Sequence, residues 1–157
     1  MRVIAGKYKG RKLNSPEDST VRPTTDKVKE ALFSILTNEL YGARVLDLIR
    51  SNLAHCAVEE KTRVAAGDYA KILRNLTRRV EEGLEEPFDI ILLDPPYDAG
   101  LLDNAFRLIA EGRLLADDGL IVAEHRKQEE LPEELHGFIR SKERRYGVVK
   151  LSIYNNM

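Results

Sequence analysis

Cysteine, tryptophan, histidine and proline are scarce in this 157-residue chain, and each scarcity excludes something. A lone Cys56 can form no internal disulfide, so a packed core has to hold the fold and a reducing compartment fits. Its simplest reading is a small packed or half-exposed thiol. His55, His125 and His136 stand at no metal-ligand spacing with Cys56 or the acids. They read as surface or satisfied core histidines, and no metal is expected. No serine, histidine and acid set suggests a hydrolase. No apolar run approaches membrane-spanning length, and Met1-Arg2-Val3-Ile4-Ala5-Gly6-Lys7 lacks the apolar stretch of a secretory signal. The cytoplasm is therefore the expected location, with no membrane partner.

What is present describes an ordinary globular protein: 43% hydrophobic and 32% charged residues, without internal repeats or low-complexity linkers. The length predicts a single domain over 1–157, large enough to bury a core without staples. The net charge of −1 conceals an asymmetry. Up to Lys29 the bases Arg2, Lys7, Lys9, Arg11, Lys12, Arg22, Lys27 and Lys29 face only Glu17, Asp18 and Asp26, a local +5 against −6 in the remainder. A split of that kind suggests a nucleic-acid partner; a merely solvated basic face is the bland alternative.

Arg2 to Leu13 reads as a basic hairpin turning near Gly6, with Tyr8 interleaved among its bases as one stacking ring. After the polar connection 14–20, Thr24 or Thr25 can cap a helix whose positive first turn suits Asp26. Val28, Ala31, Leu32, Ile35 and Leu36 place one apolar face on that helix, predicted from Asp26 to about Glu39. Arg44 to Leu48 and Thr62 to Ala66 read as strands of a parallel sheet, the second running into Gly67-Asp68. Tyr69 to about Glu82 is a helix with Ile72, Leu73, Leu76 and Val80 on one side. Phe88 to Leu93 is a strand, and Leu101, Leu102, Ala105, Leu108 and Ile109 mark a helix ending near Gly112. Asp117-Asp118-Gly119 is expected to turn into a strand Leu120 to Ala123 that delivers Glu124-His125. Phe138 to Arg144 and Val148 to Tyr154 flank Tyr146-Gly147 as an antiparallel hairpin closing the sheet. The runs Lys142-Glu143-Arg144-Arg145 and Gln128-Glu129-Glu130 are most simply solvated faces. Strands and helices alternating through the middle predict an α/β fold with a mostly parallel sheet in three layers.

Asp94-Pro95-Pro96-Tyr97, at the end of the apolar strand, is the stretch with chemistry in it. An exocyclic amine on a nucleobase attacks a methyl donor poorly, because its lone pair is delocalised into the ring. Acceptors on its hydrogens draw the nitrogen towards tetrahedral geometry. Asp94 and the carbonyl of Pro95 can be those acceptors, and two prolines hold the backbone in a preset direction without competing donors. Tyr97 can stack on a base taken out of its helix. A strand followed by a Pro-rich turn explains the same four residues, and they do not decide between the two readings by themselves.

Taken together, Arg2 to Leu13, Val21-Arg22-Pro23-Thr24-Thr25-Asp26 with Glu30-Ala31-Leu32-Phe33, Val45-Leu46-Asp47-Leu48, Gly67-Asp68, Asp94-Pro95-Pro96-Tyr97 and Glu124-His125 resemble one family. It is the bacterial small-subunit ribosomal RNA guanine-N2 methyltransferases that use S-adenosylmethionine. The resemblance implies a Rossmann-like class I methyltransferase core over 26–157 with residues 1–25 as an N-terminal basic hairpin extension. It implies that Asp47 stands at the foot of the cofactor loop and that Asp68 accepts from the adenine amine. Asp94, Pro95, Pro96 and Tyr97 would receive the target guanine, and Arg22 and Thr24 would lie between cofactor and RNA. Arg2, Lys7, Lys9, Arg11, Lys12 and Arg22 would hold phosphates. The implied partner is small-subunit ribosomal RNA, the implied cofactor S-adenosylmethionine, and a monomer is the default.

The chain departs from that family after Leu48. There the family continues into a glycine-rich loop, a helix and a strand ending in the acid that holds the ribose hydroxyls. Here Ile49-Arg50-Ser51-Asn52-Leu53 follows at once, and a unit of roughly 30 residues is absent. Glu59 and Glu60 precede the Thr62 strand and are no substitutes for the ribose carboxylate. Either a cofactor loop with its helix and strand belongs between Leu48 and Ile49, or a true deletion leaves 49–61 as the crossover between parallel strands. That crossover barely reaches the dozen or so residues such a connection needs, which favours the first account. A real Leu48–Ile49 peptide holds the two Cα atoms about 3.8 Å apart.

Overall fold

The computed structural model describes residues 26–36, 38–47, 65, 67–95 and 100–157. The N-terminal basic hairpin, the Thr62 to Ala66 strand apart from Ala65, and the Leu48–Ile49 junction lie outside them. Helix α1, Asp26–Ile35, belongs to one compact unit, and every other described element belongs to a second. In α1, Val28 is buried, as is Leu36 just beyond it, while Ala31, Leu32 and Ile35 are half-buried. The helix is shorter than its apolar spacing predicts: the N–H of Leu36 still closes on the carbonyl of Leu32, and the chain then turns. Thr37 and Asn38 are weak helix formers, which fits an early end.

The second unit is organised around one six-stranded sheet. Its strands are β1 (Val45–Asp47), β2 (Phe88–Leu93), β3 (Leu115–Arg126), β4 (Glu134–Leu135), β5 (Phe138–Tyr146) and β6 (Val149–Asn156), in the order β1-β2-β3-β6-β5-β4. The pairs β1–β2 and β2–β3 are parallel, and the remaining three pairs are antiparallel. The sheet is thus mixed, with helices α2 (Tyr69–Glu81) and α3 (Leu101–Glu111) packed against each other beside it.

Apolar run and burial agree in β2, where Phe88, Ile90, Ile91 and Leu93 are all buried, as expected of a strand covered on both faces. Ile91 and Leu93, with Ile121 and Ala123 of β3, share a core cluster with Leu73 and Leu76 of α2 and with Leu102, Ala105, Phe106 and Ile109 of α3. Phe106 reaches furthest, edge-on to Tyr154 at 4.9 Å and to Phe138 at 5.9 Å between ring centres. Helices α2 and α3 come close enough that a Cβ on Gly112 would run into Oγ1 of Thr77. Glycine is needed there for the approach itself.

Two turns are set by residues with positive φ. His136 (51°) and Gly137 (89°) join the paired residues Leu135 and Phe138. Gly147 (65°) opens the two-residue loop between the paired Tyr146 and Val149, as the primed hairpin turns require. The expected C-terminal hairpin is therefore present. Asp117-Asp118-Gly119 differs from expectation: it lies within β3, between residues paired to Phe88 and Ile90, where five steps along β3 match two along β2. The turn chemistry is real, but it is absorbed as an irregularity of one longer strand. No described helix is long and apolar enough to cross a membrane.

Candidate active site

Parallel pairing decides which residues meet. Asp47, the last residue of β1, pairs with Leu92, and Leu93 pairs with Ala123, so β1, β2 and β3 all end at one edge of the sheet. Asp94 and Pro95 follow directly from β2 at that edge and are half-buried. Ligands in open α/β folds bind outside the carboxyl ends of such strands. A cleft of ≈ 430 Å³ of empty space, counted out to its open mouth, lies there. Asp94 and Pro95 form one wall with Leu93; Tyr69 from the start of α2 and Leu101, Leu102 and Ala105 from α3 form the others.

Among the described residues, the polar groups around this apolar cleft are few and held. Asp68 caps α2, its Oδ1 accepting the N–H of Lys71 at 2.9 Å, while the side chain stays exposed. That cap explains why the helix begins at Tyr69, and a carboxylate has a second oxygen to offer. Tyr69 accepts a 2.7 Å hydrogen bond at its hydroxyl from Nδ2 of Asn104, whose Oδ1 in turn accepts from Arg107 at 2.6 Å. With its oxygen so engaged, the Tyr69 hydroxyl keeps its own proton for donation. The cleft can therefore hold a flat, mostly apolar group, with Asp94, Pro95 and Tyr69 among the residues that line it.

Of the residues singled out in the sequence, Asp47, Asp68, Asp94 and Pro95 fall within the described chain, and Asp94 and Pro95 share the cleft. Pro96, Tyr97, Arg22, Thr24, Arg2, Lys7, Lys9, Arg11 and Lys12 lie outside the described residues. Tyr69 and Asn104 were not foreseen; the one signal for Tyr69 was its place directly after Asp68 at a helix start.

Glu124 and His125 sit one strand over, and the imidazole is consumed by the fold. His125 is fully buried, with Nδ1 3.1 Å from the carbonyl of Arg126 and Nε2 2.9 Å from the hydroxyl of Ser152. A carbonyl only accepts, so Nδ1 carries the proton and Nε2 accepts from Ser152. Burial pushes this imidazole below its ordinary 6.5, against a smaller upward pull from the Arg126 carbonyl. His136 pairs with Asp103 at 2.9 Å. No group of His, Cys, Asp and Glu among the described residues could hold a metal ion.

The family described as Conserved hypothetical protein 95 matches residues 1–50 and 48–155. Putative rRNA methyltransferase YlbH of Bacillus subtilis is 32% identical over 185 aligned positions, covering 98% of both chains. Ribosomal RNA small subunit methyltransferase D of Escherichia coli K12 is 32% identical over 84% of this chain and 78% of its own. The solved structure of the putative methyltransferase yhhF from Escherichia coli superposes with a TM-score of 0.68 at 27% identity, covering 99% of this chain and 97% of that one. An alignment of 185 positions leaves at least 28 opposite no residue of a 157-residue chain. The two family-matching stretches meet at residues 48–50, where the expected strand-helix unit is absent. The fold is that of a Rossmann-like methyltransferase, and the chain belongs to the Conserved hypothetical protein 95 family.

Proposed function

We propose that this protein transfers a methyl group from S-adenosylmethionine to the exocyclic N2 amine of a guanine in small-subunit ribosomal RNA. The observation that carries the reading is the placement of Asp94 and Pro95 at the carboxyl end of β2, on the wall of an open apolar cleft. The names of the relatives from Bacillus subtilis and Escherichia coli support ribosomal RNA as the substrate class.

The residues present fit the adenine end of the cofactor. Leu93, Leu101, Leu102 and Ala105 offer apolar walls, and Asp68 keeps one carboxylate oxygen beyond its helix cap for an amine. When bound, the cofactor supplies an electrophilic sulfonium methyl. Asp94 and the Pro95 carbonyl accept the two hydrogens of the guanine amine and localise its lone pair towards the methyl carbon. The amine nitrogen takes up the methyl that the cofactor would supply, and the proton the nitrogen then sheds would pass to Asp94 or to water. Positioning of the two reactants carries much of the rate.

The test is transfer of labelled methyl to small-subunit RNA, followed by nucleoside analysis. Label on guanine N2 is expected; label on adenine N6 would keep the ledge and change the substrate, since the same acceptors serve either amine. A second reading, an RNA-binding protein without catalysis, draws on the 28 or more positions that this chain lacks relative to YlbH. Calorimetry separates the two: one-to-one binding of S-adenosylmethionine excludes the second, and RNA binding without it excludes the first.

A further inference from the structure

The β5–β6 hairpin tip carries a basic surface at the same edge of the sheet as Asp94. Because β6 runs antiparallel to β3, the end of β3 meets the start of β6: Arg126 pairs with Val149 and His125 with Lys150. Across the hairpin Arg145 pairs with Lys150 and Arg144 with Leu151, and the N–H of Lys127 binds the carbonyl of Val148 at 2.9 Å. Arg126, Lys127, Arg144 and Arg145 are thereby gathered at the tip, and all four are exposed.

Two acids of the same region, Glu130 and Glu143, are held in ion pairs. Lys150, with its side chain 1% exposed, places Nζ 2.8 Å from Glu130 and 3.5 Å from Glu143. Glu143 is further bridged by Arg140 and Arg145 at 3.3 Å each. Glu130 and Glu143 are met by Lys150, Arg140 and Arg145, while Lys127 and Arg144 stay exposed at the tip. The sequence offers the run Lys142 to Arg145 as a solvated face; the register shows that it joins Arg126 and Lys127 beside the end of β2.

We propose that this hairpin tip is a phosphate-binding surface for the RNA whose base meets Asp94 at the rim of that cleft, an inference that rests on the RNA reading above. Three strand spacings separate β2 from β5, about 14 Å. That is roughly the rise of four stacked nucleotides at about 3.4 Å each, so the tip meets the backbone a few nucleotides from the target. Phosphate contacts of this kind set register without reading sequence.

The experiment measures binding of a small-subunit ribosomal RNA transcript over a range of salt, for the wild-type chain and for Lys127→Gln/Arg144→Gln. Loss of two phosphate contacts should weaken binding roughly tenfold or more at about 0.1 M salt and flatten the slope of log K against log salt by about 1.4. Unchanged S-adenosylmethionine affinity and an unchanged melt confirm that the fold is intact. Arg113→Gln, at the opposite edge of the sheet just before β3, should leave the slope alone. Equal loss from Arg113→Gln, or no change from the double variant, overturns the assignment of the tip. Failure of the wild-type chain to bind the transcript removes the RNA reading itself, a different result from either.

Discussion

The two halves of the sheet treat polar residues at the same edge in opposite ways. In the parallel half, β2 buries an apolar run, keeps Asp89 exposed near its start, and leaves Asp94 and Pro95 just past its end, half-buried on an open cleft. In the antiparallel half, His125, Lys150 and Ser152 lie inside the ladder and are each 0% exposed. There every polar group is met by the fold: His125 by Ser152 and a carbonyl, Lys150 by two carboxylates, and the Tyr154 hydroxyl by the carbonyl of Pro132 at 2.6 Å. A buried polar group inside a ladder has to be satisfied by its neighbours, which leaves it nothing for a ligand. Polar residues past the end of a strand, on a cleft, stand where a ligand can reach them.

If that contrast is right, the largest stability effect belongs to the residue that ties the halves together. Phe106 is 0% exposed, and its ring meets Phe138 and Tyr154 while Leu102 and Ala105 on the same helix line the cleft. Phe106→Ala should cost about 3–5 kcal/mol, a fall in melting temperature of roughly 10 °C in a chain of this size. A melt within a degree or two of wild type would mean that the helix and the antiparallel strands are coupled by something else.

Asp94→Ala asks the opposite question. Methyl transfer should fall about 100-fold, the cost of a misplaced reactant and about 2.7 kcal/mol in barrier, while the melting temperature moves far less than for Phe106→Ala. A variant that melts early but keeps its turnover would put Asp94 with the structural polar residues and dissolve the contrast.

How much of this was legible in the sequence follows from what kind of contact each feature needs. β2, α2, α3 and the hairpin at Gly147 are written in local pattern: an apolar run, 3.6-residue spacing and a residue that tolerates positive φ. Asp94-Pro95 was legible because both residues sit together in the chain. The network around Lys150 was not, since its partners Glu130 and Glu143 are local to it only after three strands have paired. A lysine between Val149 and Leu151 reads as a strand's outward residue until those acids are placed. Tyr69 and Asn104 are hidden for the same reason, their 2.7 Å contact joining two helices 35 residues apart in sequence. β1, Val45–Asp47, lies within the expected Arg44 to Leu48 strand, but the loop that would follow that strand in the family has no counterpart in this sequence.

Ser152→Ala is a smaller probe of the same contrast. It removes the hydroxyl that donates to Nε2 of His125 and leaves a buried acceptor unmatched. The expected loss is about 1–2 kcal/mol, read from the urea midpoint with an unchanged slope. S-adenosylmethionine affinity should stay as in wild type; a loss of cofactor binding without a loss of stability would bring this end of β3 into the active site.

The smallest effect is a pH dependence, and it separates the histidine from the carboxylates. Burial lowers the His125 pKa from 6.5, so above that value the ring is neutral in both the folded and the unfolded chain and adds no slope. As pH falls below 6.5 the unfolded chain takes up a proton that the folded chain refuses until its lowered pKa is reached, and stability falls across that window. Glu143 and Glu130 act later. Burial is the largest single influence on Glu143 and acts upward, but Lys150, Arg145 and Arg140 together outweigh it and hold the carboxyl below 4.5. The hydrogen bond from Lys150 does the same for Glu130. Their contribution is complete above 4.5 and is lost as pH drops through the lowered values. Urea midpoints from pH 8 to pH 3 should therefore fall in two stages, and His125→Gln should lack the first and keep the second. If the first stage survives in that variant, the neutral buried imidazole is not what makes this half of the sheet sensitive to mild acid.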